Sequence, residues 1–103
     1  MNELLNLADI HSRVDLPKGE AVVLLDRLGK GDQYNKEDLA RNVFRIDSKG
    51  HIMWRVSSAF DKLGDPFTRL YSEDGTLTAY RWDGGSYVID LETGSATPLR
   101  LER

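Results

Sequence analysis

The sequence predicts a mainly β fold, an antiparallel meander of six to seven strands with one or two short helical turns. Three observations carry this. Apolar and polar residues alternate through most of the second half, the period of a half-buried strand. Short turn motifs such as Ser48-Lys49-Gly50, Glu73-Asp74-Gly75 and Glu92-Thr93-Gly94 interrupt the alternation, and hairpins need such residues at their left-handed positions. Helical periodicity is scarce.

Residues 2–8 fit a short helix or a strand equally well. Glu20–Leu28 contains the continuous run Ala21-Val22-Val23-Leu24-Leu25, which suits a central strand covered on both faces. The polar connection 29–40 includes Asn35-Lys36-Glu37-Asp38, which opens a helical turn with acids at its positive end. Arg41–Asp47 and His51–Ser57 form a hairpin. A three-residue loop with Gly50 left-handed pairs Asp47 with His51 and sets Phe44 and Ile46 on one face with Ile52, Trp54 and Val56. Ser58, Asp61 and Gly64 bracket one capped turn over 59–63.

In the C-terminal half, Phe67–Ser72 and Thr76–Asp83 flank the loop residues Asp74 and Gly75. A turn at Gly84-Gly85 pairs Trp82 with Tyr87 and Tyr80 with Ile89. The turn ending at Gly94 brings Leu99 and Leu101 to the same side. One apolar face is therefore expected to collect Phe67, Tyr71, Tyr80, Trp82 and Tyr87 together with Ile89, Leu91, Leu99 and Leu101. The opposite, half-wet face carries Leu70, Leu77, Ala79, Arg81, Val88 and Asp90. Pro98 has no amide hydrogen to give a ladder, which makes the last strand an edge. No composition shift marks a boundary, so residues 1–103 read as a single domain.

The order Asp47-x-x-Gly50-x-Ile52-x-Trp54, Asp74-Gly75-x-Leu77-x-Ala79, Trp82-Asp83-Gly84 and Tyr87-x-Ile89-Asp90-x-x-Thr93-Gly94 resembles the repeat of pyrroloquinoline-quinone-type β-propellers over about residues 42–95. The Asp-x-x-Thr-Gly element carries most of the likeness. It implies blade-like turns, in which Asp90 accepts hydrogen bonds from the backbone amides of the turn that Gly94 closes. Only one to one and a half blades fit this length, whereas propellers typically hold four to eight, so the resemblance implies no quinone cofactor. The chain is also similar in style to small bacterial proteins of about this length with no established activity.

Composition and motifs narrow the chemistry. Seventeen acidic and fourteen basic side chains in 103 residues give a net charge of −3, with the signs mixed along the whole length. No basic stripe marks a nucleic-acid partner. Arg45, Arg55, Arg69 and Arg81 all fall in expected strands and could build one only in three dimensions. The absence of cysteine excludes disulfides, thiolate nucleophiles and Cys-based metal sites. His11 and His51 are the two histidines, and zinc sites commonly draw three or four N, O or S ligands, so no metal site is expected. Gly29-Lys30-Gly31-Asp32 lacks the spacing of a phosphate loop. Ser57 and Ser58 stand in no nucleophile elbow, and Ser58 has a simpler task capping a turn. The acid pairs Glu37-Asp38 and Glu73-Asp74 diverge on turns, and no calcium loop is present. The expectation is a chain without catalytic residues or cofactor. With neither a secretory signal nor an apolar run of membrane-spanning length, it is expected to be cytoplasmic.

Two functional readings follow. The first is a non-enzymatic protein-interaction module acting through its sheet face, its edge strand or the 29–40 loop. The second is a binding site for a carbohydrate or aromatic metabolite rimmed by Trp54, Arg69, Tyr80, Trp82 and Tyr87, with Arg69 lying over the Tyr80 ring. A plain core of the same aromatics is the simpler account of them, because burying each one stabilises by about 1.5–3 kcal/mol. A single sheet cannot cover its own apolar face. The sequence therefore also predicts a barrel, a sandwich or a homodimer formed through that face or through the edge strand at 96–101.

Overall fold

Five consecutive apolar residues, Ala21 to Leu25, give one strand two greasy faces, and the architecture covers both. The structure, a computed structural model, describes residues 4–5, 10–27, 31–82 and 84–101. Within them eight strands form two four-stranded antiparallel sheets, each a meander of sequential neighbours. The N-terminal sheet consists of β1 (Ile10–Asp15), β2 (Ala21–Leu25), β3 (Val43–Ile46) and β4 (Ile52–Arg55). The C-terminal sheet consists of β5 (Phe67–Glu73), β6 (Thr76–Arg81), β7 (Gly85–Ile89) and β8 (Ala96–Leu101). One helical turn, α1 (Lys36–Ala40), and 3₁₀ turns at Pro17–Gly19 and Asp61–Leu63 complete the regular structure. No helix among the described residues is long and apolar enough to cross a membrane.

The inward side chains of β2, Val22 and Leu24, join Val43, Val56, Phe67, Leu77, Tyr87 and Ile89 in one core shared by the two sheets. Its outward side chains, Ala21, Val23 and Leu25, join Phe44 and Ile46 in a second cluster, against which Leu5, Ile10 and Ile52 pack. As its sequence predicts, β2 is an interior strand, buried at all five positions. Asn42 ties the sheets together from a fully buried position. Its Nδ2 donates to the carbonyls of Leu25 and Phe67, and its Oδ1 accepts from the Phe67 amide. A short parallel bridge between Ser57 and Ser95 joins the end of the N-terminal sheet to the start of β8.

The cap of α1 forms as expected, and the second turn is a 3₁₀ turn over Asp61–Leu63 rather than the whole of 59–63. Asn35 Oδ1 accepts from the Asp38 amide 2.8 Å away at the start of α1. Asp61 accepts from both the amide and the hydroxyl of Ser58, and Gly64 closes that turn in the left-handed region. The Asp47–His51 pairing and the Asp74-Gly75 loop also form as expected. Pro98 lies on an edge strand.

The strand count and the facing of side chains differ from expectation. There are eight strands in two sheets rather than six to seven in one, because β1 pairs through a segment with only two apolar side chains, Ile10 and Val14. Three bulges and one turn then reverse faces. An extra residue at Met53 sets Trp54 opposite Arg45 and moves Trp54 and Val56 away from the Phe44–Ile46 face. An extra residue at Thr68 turns Phe67 inward opposite Arg81, while Arg69 pairs outward with Tyr80. The third hairpin pairs Tyr80 with Ser86 and Ala79 with Tyr87, so Gly84 ends the turn and Gly85 begins β7 instead of turning the chain. An extra residue at Leu99 leaves that side chain 61% exposed beside Pro98. Consequently Leu70, Leu77, Ala79 and Arg81 face the core with Phe67, Tyr87 and Ile89, whereas Tyr71, Tyr80, Trp82 and Leu99 do not. Trp82 and Tyr87 end on opposite sides. The side chain of Leu101 lies outside the described residues, as does most of the 2–8 segment. The expected apolar face is thus divided: the N-terminal sheet covers the side that carries Phe67, Leu70, Leu77, Ala79, Tyr87 and Ile89.

Candidate functional site

The five residues expected to rim an aromatic pocket occupy three separate places. Tyr87 is fully buried, edge-on to Phe67 with ring centroids 5.3 Å apart. Trp54 sits at the junction of the sheets, where its Nε1 donates to the Leu91 carbonyl at 2.6 Å. Arg45 donates to the same carbonyl from Nη1 and is paired with Glu20. Trp54 therefore pins the 90–94 turn to the N-terminal sheet. Arg69, Tyr80 and Trp82 remain at the surface of the C-terminal sheet. The guanidinium–ring contacts among the described residues involve Arg27, Arg55 and Arg81, so the expected stacking of Arg69 on Tyr80 does not form.

The turns behave as their motifs imply. Gly50, Asp74, Gly75, Gly84 and Gly94 all take positive φ. Asp90 Oδ1 accepts from the Glu92 amide, and the Gly94 amide donates to the Asp90 carbonyl. Asp47 repeats the device with two amides, those of His51 and Lys49. These bonds hold its carboxyl below the ordinary range, the His51 amide contributing most.

The sequence reading missed two constellations. The first is buried. Arg81 has no exposed surface and lies between the rings of Phe67, 4.1 Å away, and Tyr87, 4.8 Å away. Its Nη atoms donate to Ser58 Oγ, Asp61 Oδ1 and the Ala40 carbonyl. It shares the inward face with Leu77 and Ala79, the face that its charge had marked as half-wet. The group is a hydrogen-bonded ion pair in which the Ser58 hydroxyl donates to Asp61 and accepts from Arg81. The second is a surface cavity over the outer face of the N-terminal sheet, whose lining includes Arg27, Tyr34, Asp38, Phe44 and Arg55.

On the outer face of the C-terminal sheet, Tyr71 pairs with Thr78, and Arg69 with Tyr80, whose strand partner is Ser86. Tyr71 is 41% exposed, and Trp82, in the turn after β6, is 60% exposed. A groove of about 410 Å³ is lined by Tyr71, Thr76, Thr78, Ser86 and Leu99 together with two acids, Glu73 and Asp74. Arg69 makes no ion pair among the described residues. Among the described residues no three His, Asp or Glu side chains converge as a metal site. The Gly29-Lys30 portion of the loop and Asp83 lie outside the described residues.

Against known proteins, one family model, described as a domain of unknown function (DUF7957), matches residues 7–101. No curated protein and no solved structure matches significantly.

Proposed function

This chain belongs to the DUF7957 family of domains of unknown function, and we propose that it is a non-enzymatic interaction module that docks another protein on the outer face of its C-terminal sheet. The observation that carries this reading is the exposure of Tyr71 and Leu99 at a groove on this sheet, which also leaves Trp82 and Arg69 exposed. Trp, Tyr and Arg are the residue types that dominate binding energy at protein interfaces. A folded domain this small gains more by burying a tryptophan than by displaying one. The partner surface that fits is apolar, with a cation to meet Glu73 and Asp74 of the groove and a carboxylate to meet Arg69.

A photoreactive phenylalanine analogue placed at Tyr71, at Leu99 and, as a control, at Arg13 of β1 tests this. The expected result is one discrete hetero-adduct from Tyr71 and Leu99 and none from Arg13, together with loss of the adduct on Arg69→Glu. The purified partner should then bind the native chain at least tenfold more tightly than the Trp82→Ala variant. Equal labelling from all three positions, or adducts with the chain itself alone, would overturn it.

A further inference from the structure

The two outer strands of the C-terminal sheet present unlike edges. β8 is blunted by Pro98, which has no amide hydrogen, and by the extra residue at Leu99. β5 is regular from Arg69 to Glu73, each residue paired in step with β6. The loop between them, Asp74-Gly75, holds both residues at positive φ, and a two-residue loop of this kind closes on a hydrogen-bonded pair. Arg69, Tyr71 and Glu73 therefore direct their backbone groups at Tyr80, Thr78 and Thr76. The N–H and C=O of Leu70 and Ser72 point away from β6, and among the described residues no other backbone group meets them. The upstream end of β5 is closed, because Asn42 bonds both the amide and the carbonyl of Phe67. The stretch from Arg69 to Glu73 is a short template for one more strand.

Its side chains select that strand. Arg69, Tyr71 and Glu73 alternate onto one face and are exposed. Neither Arg69 nor Glu73 makes an ion pair among the described residues. Laid antiparallel on itself with Tyr71 at a two-fold axis, the segment is self-complementary, as a symmetric dimer interface must be. Leu70 of each copy meets Ser72 of the other, and each such pair exchanges both of its N–H···O=C bonds. Tyr71 meets its own counterpart, and Arg69 stands opposite Glu73 of the other copy at both ends. Opposite charges and paired aromatics directly across a ladder are favourable, and like charges are not. A parallel in-register strand would set Arg69 against Arg69 and Glu73 against Glu73, and a slip of two residues would remove both ion pairs.

We propose that this chain pairs with a second copy along β5, joining two four-stranded sheets edge to edge. The pairing uses the edge and leaves the outer face open, so it does not rest on the docking of another protein. Guanidinium and carboxylate each keep donors or acceptors beyond the one ion pair. Sedimentation velocity of the purified full chain tests this, with a monomer–dimer equilibrium expected by high micromolar concentration. Arg69→Glu and Glu73→Arg should each weaken association by about tenfold or more, since each sets like charges together at both ends. An equimolar mixture of the two variants should recover it, as should both substitutions in one chain, because every contact is then between opposite charges again. Mixing cannot repair a misfolded variant, so this recovery separates pairing from folding. The amides of Leu70 and Ser72 should also gain protection from hydrogen exchange as concentration rises. A native chain that stays monomeric, association indifferent to both reversals, a mixture that remains monomeric, or unprotected Leu70 and Ser72 amides in the dimer would overturn the assignment.

Discussion

Gly94 lies flat against the indole of Trp54. A β-carbon on it would stand 2.6 Å from Cε3 and 2.7 Å from Cδ2 of that ring, while the Trp54 Nε1 bonds the carbonyl of Leu91 in the same turn. Gly94 also holds φ at 79°. Gly94→Ala therefore carries a conformational cost of about 1–2 kcal/mol plus an overpacking cost of about 1–3 kcal/mol. Gly50→Ala serves as the comparison, since Gly50 has similar φ but only an ordinary contact at 3.9 Å from Leu4. Urea unfolding should show Gly94→Ala losing clearly more stability than Gly50→Ala. Equal losses would mean that the indole contact contributes nothing.

Asp61 and Arg81 form a buried pair, 3.0 Å apart, with side-chain exposures of 10% and zero. Removing the acid leaves a guanidinium enclosed by Phe67 and Tyr87, and such unpaired burial costs about 3–5 kcal/mol. Asp61→Ala should reach that range in urea unfolding. Combining it with Arg81→Met should cost less than the sum of the two single changes, because both then remove the same interaction. Strict additivity would refute the coupling.

The two tryptophans report the two sheets separately. Trp82 is 60% exposed, whereas Trp54 is partly buried and hydrogen-bonded at the sheet junction. Acrylamide quenching of the native chain should resolve one accessible and one shielded population, and Trp82→Phe should abolish the accessible one. Because Trp82 buries so little, that substitution should change stability by no more than about 0.5 kcal/mol. A large loss would place Trp82 in the core.

Local chemistry in this chain was legible, and parity was not. Asn35, Ser58 with Asp61, Asp47 with Gly50, and Asp74-Gly75 each act within a few residues, and each forms as its pattern implies. The continuous run at Ala21–Leu25 likewise announced an interior strand. Facing fails because alternation propagates one bit per residue, and a single bulge inverts everything beyond it. Met53, Thr68 and Leu99 are such residues, and none has a composition that separates it from a regular strand position. Arg81 compounds the problem. A charged side chain among Leu77 and Ala79 marks a wet face by pattern, yet here it is enclosed because Asp61, twenty residues upstream, meets it. The candidate sites inherit this. Arg27, Tyr34, Asp38 and Arg55 come together only through the pairing of β3 with β4 and the return of the chain through α1, which no local motif encodes.

Asp47 gives the β3–β4 turn a dependence on acid. The amide of His51 lowers its carboxyl most, desolvation opposes it next in size, and the amide of Lys49 with the charge and side chain of His51 lower it further. An unfolded aspartate titrates near ~3.9. Folding therefore favours the ionised form, so the carboxylate's support of the turn is fully present above that value and is lost as pH falls through the lower native one. Following the Asp47 carboxyl and the amides of Lys49 and His51 by NMR should place their shared transition below the ordinary aspartate midpoint. Asp47→Asn keeps an oxygen to accept both amides but has no proton to gain, so the acid transition at Lys49 should disappear while the turn persists. A transition at the ordinary midpoint, or one that survives in Asp47→Asn, would show that the carboxylate does not hold the turn.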